Sequence, residues 1–234
     1  MIEFFSTISG VSDAYPILQA KECFPKWMKN ARQEYASNGD KRQSTIVRCP
    51  GIVDIMTTGY IVTAPWDMDI HSTTETMTTY LNPEMETLLG KPPIQNQSGD
   101  SIAKHIPKRP WSHKDILKIN TPWHIKSKYK FMMIPIPYTD EFGFEACSGI
   151  LDPSISSEIN IQGYVNGYGV LEIKAGTPLC QLIPITEDRC EHTVRDMNDN
   201  DKSWIQKRKY INNSTFILDK SLVKRIYNRF LRRK

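Results

Sequence analysis

Three residues in this chain have the types, and two of them the spacing, of an iron-binding facial triad: His113-Lys114-Asp115, with His192 as a distant third ligand. Two imidazoles and a carboxylate on one side of a ferrous ion leave open positions for oxygen and a substrate. Such a set would make the protein an iron-dependent oxygenase. The competing reading places His113 and Asp115 at the solvated edge of a proline-rich loop. Cys190-Glu191-His192 reads as a solvated loop as well, because no paired Cys/His cluster supports a zinc centre. Asp67 and Asp69 alternate with Met68 and Ile70, which puts both carboxylates on the wet side of a strand, where their simplest role is solubility. Gln181 stands between Leu179 and Ile183 on one face of a strand pattern. A carboxamide buried there needs backbone partners on a neighbouring strand.

Charge is concentrated at the C-terminus. Residues 202–234 carry 11 Lys/Arg and one acid, Asp219, a net of +10 in a chain of total charge +4, which leaves −6 on residues 1–201. From Ser221 to Lys234, Leu222, Val223, Ile226, Tyr227, Phe230 and Leu231 recur at helical spacing, interleaved with Lys224, Arg225, Arg229, Arg232 and Arg233. The pattern predicts a basic amphipathic helix capped by Asp219 or Ser221. Phosphate contact with nucleic acid, attachment to an acidic partner surface and docking of the apolar stripe on the chain's own body are all open to such a helix. The continuous apolar stripe favours a protein partner, and with no other anchor a membrane partner is not expected.

The elements that would position these groups are mostly strands. Pro25 suits a first helical position, Trp27, Met28, Ala31 and Tyr35 follow at three- and four-residue spacing, and Asn38-Gly39 makes a stop; this predicts one short helix with Trp27 inward. Ile46-Val47 and Ile52-Val53 flank Cys49-Pro50-Gly51, which reads as a tight turn between strands. Further strands are expected at Gly59–Thr63, Ile116–Ile119, Trp123–Lys126, Lys130–Ile136, Ile159–Val165, Gly169–Lys174 and Leu179–Ile185. Residues 82–112 hold five prolines and few apolar clusters, so they read as the longest loop region. Trp66, Trp111, Trp123 and Trp204 read as core or loop anchors rather than base-stacking platforms.

A chain of 234 residues with 24% charged and 39% hydrophobic residues has the composition of a globular protein, and no stretch reaches the roughly 20 apolar residues of a membrane span. The five cysteines are scattered and never form a CxxC pair, which argues against a disulfide framework and for a reducing compartment. Met1–Phe5 has no basic n-region, so a secretory signal is not expected.

Ser148-Gly149-Ile150-Leu151-Asp152-Pro153, followed by Ala175-Gly176-Thr177-Pro178-Leu179-Cys180-Gln181-Leu182-Ile183, resembles two motifs of the dUTPase and dCTP-deaminase superfamily. Gly149, Ile150 and Asp152 match a strand that ends in Gly-[Val/Ile]-Ile-Asp. Gly176, Leu179, Gln181 and Leu182 match the later Gly-x-x-[Ile/Leu]-Ala-Gln-[Leu/Met]. The likeness runs over residues 120–185 and implies a β-clip or jelly-roll-like barrel, a trimer, and Asp152 as catalytic candidate if the protein is an enzyme. Ile155, Ser156 and Ser157 stand where the hydrolases have Tyr-Arg-Gly, and Pro135-Ile136-Pro137-Tyr138 stands near the place of the phosphate loop. The chain as a whole also resembles a bacteriophage protein family that brings no activity with it, on Cys49-Pro50-Gly51-Ile52, Gly59-Tyr60-Ile61, Pro122–Lys126 and Gly176–Leu179.

Together these readings predict a mainly β, dUTPase-like barrel with a short N-terminal helix over residues 1–187, a linker at 188–203 and a basic tail at 204–234. The expected function is non-catalytic, without a cofactor: a phage protein of the virion or host cytoplasm that acts by protein–protein contact through the basic helix. A nucleotide-binding or nucleotide-hydrolysing protein of dUTPase type is the alternative, and the iron-dependent oxygenase the second.

Overall fold

The computed structural model describes residues 1–37, 46–98, 105, 107, 109–139 and 143–217. In chain order, β1 (Ile2–Ser6) is followed by α1 (Val11–Ala14), β2 (Leu18–Gln19), a 3-10 turn at Ala20–Glu22, α2 (Lys26–Ser37), a second 3-10 turn at Ile46–Arg48 and α3 (Pro50–Thr57). Next come β3 (Tyr60–Thr63), β4 (Met68–Ser72), β5 (Met77–Tyr80), α4 (Glu84–Leu89), β6 (Ile94–Gln97) and the long β7 (Ser112–Lys126). The remainder is β8 (Phe131–Ile134), β9 (Phe144–Ala146), β10 (Gly149–Leu151), β11 (Glu158–Asn166), β12 (Gly169–Ile173), β13 (Pro178–Pro184), β14 (His192–Asp196) and α5 (Asp199–Ile217).

The strands form a six-stranded sheet in the order β14-β1-β7-β11-β9 with β6 also on β7, a five-stranded sheet β10-β8-β13-β3-β2, and a three-stranded sheet β12-β4-β5. The mainly β reading holds, but each of these sheets ends in edge strands and none closes into a barrel. The two larger sheets face each other across the core. Phe4 of β1 meets Tyr60 of β3 at 4.9 Å between ring centroids and Phe131 of β8 at 6.4 Å. Leu117, Ile119, Trp123 and Ile125 of β7 and Ile159, Ile161 and Val165 of β11 fill the same core, as do Val62, Cys180 and Leu182 from the opposite sheet. Because side chains alternate across a strand, the intervening residues of both sheets lie on the outer faces. Helices cover parts of those faces, and both clefts described below lie there.

Several expectations are corrected. The Cys49-Pro50-Gly51 turn between strands is instead the start of α3: Cys49 is the N-cap and Pro50 takes the first helical position, where its missing N–H costs nothing. The two short strands expected around Pro122 are one 15-residue strand. Proline is tolerated inside β7 because it sits at a register shift between Glu158 and Asn160 of β11. There the Thr121 hydroxyl, rather than a backbone amide, donates to the Ile159 carbonyl at 2.6 Å. On α2 it is Met28 that is fully buried; Trp27 is half-buried, its indole N–H bonded to the Tyr138 carbonyl at 2.7 Å. The proline-rich 82–112 region contains α4 and β6.

The segment expected as a linker holds β14 and the first turns of α5. β14 runs parallel to β1, which in turn pairs antiparallel with β7. Asn198 and Asp201 form a capping box at the head of α5: Asn198 Oδ1 accepts the Asn200 N–H at 3.0 Å, and Asp201 Oδ2 accepts the Asn198 N–H at 2.9 Å. The helix expected from Ser221 to Lys234 lies outside the described residues.

A candidate polar cleft beneath the last helix

On the outer face of the six-stranded sheet, His124 of β7 stands directly opposite Glu158 of β11, and Asn120 opposite Asn160. Glu158 accepts from Lys91 Nζ at 2.8 Å and from Asn160 Nδ2 at 3.1 Å. Burial raises the pKa of Glu158, and the bonds from Lys91 and Asn160 with the Lys91 charge more than reverse this, so the carboxylate stays ionised below its ordinary range. His124 is 5% exposed; its ring stacks on Phe5 at 5.4 Å, and its Nδ1 hydrogen-bonds with Ser157 Oγ at 2.9 Å. Burial pushes the imidazole down to about 4 against the opposing charges of Glu158 and Asp201, so it is neutral at pH 7.

Helix α5 supplies the other wall. It is tied to the sheet by Arg195 of β14, which grips the Asp201 carboxylate through both terminal nitrogens, at 2.5 and 3.1 Å, and Glu3 of β1 at 2.9 Å. Two turns beyond Asp201, Arg208 lies over the Trp204 ring at 4.1 Å and donates to the Ser154 carbonyl. Burial lowers the pKa of this guanidinium, with the Asp152 charge acting in the other direction. Arg208 Nε and Trp204 Nε1 are both buried and without a hydrogen-bond partner among the described residues. Between the walls is a cleft of about 240 Å³, lined by Lys91, His124 and Ser156–Glu158 on the sheet side and by Arg208, Lys209 and Asn212 on α5.

Asp152 lies in the turn that leads into this cleft. Its Oδ1 accepts the Ser154 N–H at 2.9 Å and the Ser154 hydroxyl at 2.5 Å, and its Oδ2 pairs with Lys130 at 3.1 Å. Burial acts to raise its pKa, and these bonds override it, leaving the carboxyl below its usual range. The group shapes the turn whose Ser154 carbonyl receives Arg208.

Gly149 is exposed on the edge strand β10, and Gly176 takes φ +89° in the turn between β12 and β13, away from the cleft. Gln181 is fully buried on β13 and donates to the Ile55 and Thr58 carbonyls at 2.7 and 2.5 Å, so its amide is met by the end of a helix rather than by a strand. His113 and Asp115 are buried in β7 rather than solvated in a loop, and His113 Nδ1 accepts the Asp115 N–H at 3.0 Å. His192 is on β14 opposite Ile2, with its ring 5.0 Å from Tyr60, beyond the other end of β7. At roughly 3.3 Å per residue, about 40 Å of strand separates it from His113. Among the described residues no three His, Cys, Asp or Glu side chains converge as a metal site. Lys224, Arg225, Arg229, Arg232 and Arg233 lie outside the described residues.

His124, Ser157, Glu158 and Arg208 were not picked out from the sequence as site residues. The alternation Trp123-His124-Ile125-Lys126 does place His124 on the face opposite two core residues, and Asn198-x-x-Asp201 is a readable helix start. Compared with protein families, with curated proteins and with solved structures, the chain matches none. No helix among the described residues is long and apolar enough to cross a membrane.

Proposed function

We propose that this chain is a binding protein for a small anionic ligand of phosphate or nucleotide type, held in the cleft beneath α5. The guanidinium of Arg208, which lines the cleft and whose buried Nε has no hydrogen-bond partner among the described residues, carries the reading. Leaving a buried N–H unmade costs about 1–3 kcal/mol, and a partly desolvated guanidinium with no carboxylate ion pair among the described residues is a receptor for an oxyanion. Lys209 adds positive charge on the same wall, and the neutral His124 with Ser157 adds hydrogen-bonding capacity without altering that charge. The segment Asp152–Ser157, which follows the dUTPase-like motif, is the one that leads into this cleft, which supports a nucleotide over an unrelated anion. Binding without turnover fits best, since Glu158 is engaged by Lys91 and Asn160, and Asp152 by Ser154 and Lys130.

Calorimetric titration with inorganic phosphate, dUMP, dUTP and dCTP tests this. The expected outcome is saturable binding of at least one, weakened about 10- to 100-fold by Arg208→Ala and by added salt. No heat from any of the four at millimolar concentration would remove the proposal.

A second reading, protein–protein contact in a virion or during assembly, is favoured by Ile150 and Met132. They stand opposite each other on β10 and β8 at an open sheet edge, 61% and 38% exposed. If that edge is the contact, Ile150→Lys should release the chain from particles that carry the unaltered protein; equal co-sedimentation of both sinks it.

A further inference from the structure

A second cleft, on the outer face of the five-stranded sheet, is independent of the anion-binding reading. Leu18 of β2, Ile61 of β3, Gln181 of β13 and Ile134 of β8 form one cross-strand row. This row lies opposite in sense to Tyr60, Val62, Cys180 and Leu182, which point into the core. The segment from the 3-10 turn at Ala20–Glu22 into α2 arches over part of it, and α3 closes one side. Gly59 makes this closure tight: it has φ +80°, and a Cβ there would stand 2.2 Å from the Leu182 carbonyl oxygen. The end of α3 is thereby held directly over β13, where Gln181 Nε2 donates to the Ile55 and Thr58 carbonyls.

What remains open is a cleft of about 390 Å³, lined by Ala20, Cys23, Phe24, Met56, Ile61 and Gln181, with Ile136–Pro137 at its side and the exposed Glu22 and Lys29 also in the lining. Small-molecule sites run from roughly 300 to 1,000 Å³ and are mostly apolar with a few placed polar groups, so this one has room for a molecule of one or two rings. Its buried polar group is Gln181. Both amide hydrogens of Gln181 point to helix carbonyls, which leaves Oε1 as an acceptor; that oxygen is buried and has no hydrogen-bond partner among the described residues, in a residue that is 0% exposed. Burial also raises the pKa of Cys23, so its thiol is neutral and adds to the apolar lining rather than to any charge.

We infer that this cleft is a binding site for a small, flat, largely apolar molecule that carries one N–H or O–H donor, which Gln181 Oε1 accepts. The Gln181 carboxamide then does two jobs: it closes α3 onto the sheet through its nitrogen and reads the ligand through its oxygen. A purely hydrophobic molecule of the same shape fills the space but leaves Oε1 unmet, so discrimination between the two is the signature of the site.

Indole and 1-methylindole are suitable probes, because they share a ring system and differ at the N–H. Alkylation of Cys23 by iodoacetamide, followed by mass spectrometry, reports occupancy on the unaltered chain, with exposed Cys49 as the reference. Indole should slow Cys23 alkylation saturably while Cys49 reacts at its usual rate, and 1-methylindole should need about tenfold more for the same protection. In Gln181→Met the two probes should become equal. If that variant does not fold, the comparison on the unaltered chain still decides. Equal protection by both probes, or no protection of Cys23 by either, overturns the inference; the latter result would mean that a buried water alone serves Oε1.

Discussion

The two clefts lie on the two outer faces of one sandwich, and they are built by different forces. Beneath α5 the walls are charged. The helix is fixed by Arg195 between Asp201 and Glu3, the sheet side by Lys91 on Glu158, and a neutral His124 is buried among them. Beneath α2 and α3 the buried walls are apolar, Met56 and Ile61 among them, with Glu22 and Lys29 only at exposed positions, and one carboxamide joins helix to sheet. An electrostatic cover responds to pH and to the loss of a partner charge. An apolar cover responds to lost contacts and lost hydrogen bonds, and is indifferent to pH.

The largest effect should come from Arg195→Ala. It leaves the Asp201 carboxylate, whose side chain is 0% exposed, without its counter-charge. Removing one partner of a buried pair costs about 4 kcal/mol, read as a lower urea midpoint and loss of anion binding as α5 detaches. A change below about 1 kcal/mol would show that the helix is held by something else.

Acid should come next. The folded pKa of His124, about 4, is below its ordinary 6.5, so the unfolded chain binds the proton more readily. The stability this group confers is full above pH 6.5 and is lost as pH falls toward 4, amounting to about 3 kcal/mol. Urea titrations at pH 7 and pH 4.5 should show a steeper fall for the native chain than for His124→Gln; parallel curves would deny the buried neutral imidazole its role. The apolar side gives the smallest effect and the contrast. Gln181→Leu strands the Ile55 and Thr58 carbonyls and should cost about 2 kcal/mol, equally at pH 7 and pH 4.5. A pH-dependent loss there would blur the distinction between the two covers.

The contrast was unequally legible beforehand. β3, β4, β8, β11, β12 and β13 coincide closely with expected strands because period-two alternation is a local signal that survives folding. Cys49-Pro50-Gly51 misled because the same residues serve a turn or a helix start, and only packing of Met56 against the sheet chooses between them. Gln181 was recognised as a buried amide in need of partners, yet its partners are on α3, more than 120 residues away. Asp152 was picked out through a resemblance and only shapes the turn that leads into the cleft, while His124 and Arg208, which line it, were passed over.

By itself the sequence determined the mainly β character, the strands that alternate, the helix at 26–37 and the need of a buried Gln181 for backbone partners, since each follows from local periodicity or from the chemistry of one group. Tertiary structure alone decided that the sheets stay open, that β14 and α5 occupy the supposed linker, that His113 and His192 lie apart, and which polar groups meet at His124. These depend on which strand edges pair across long stretches of chain. Pairing of that kind is selected by the burial of both partners at once, and neither partner records it in its own residues.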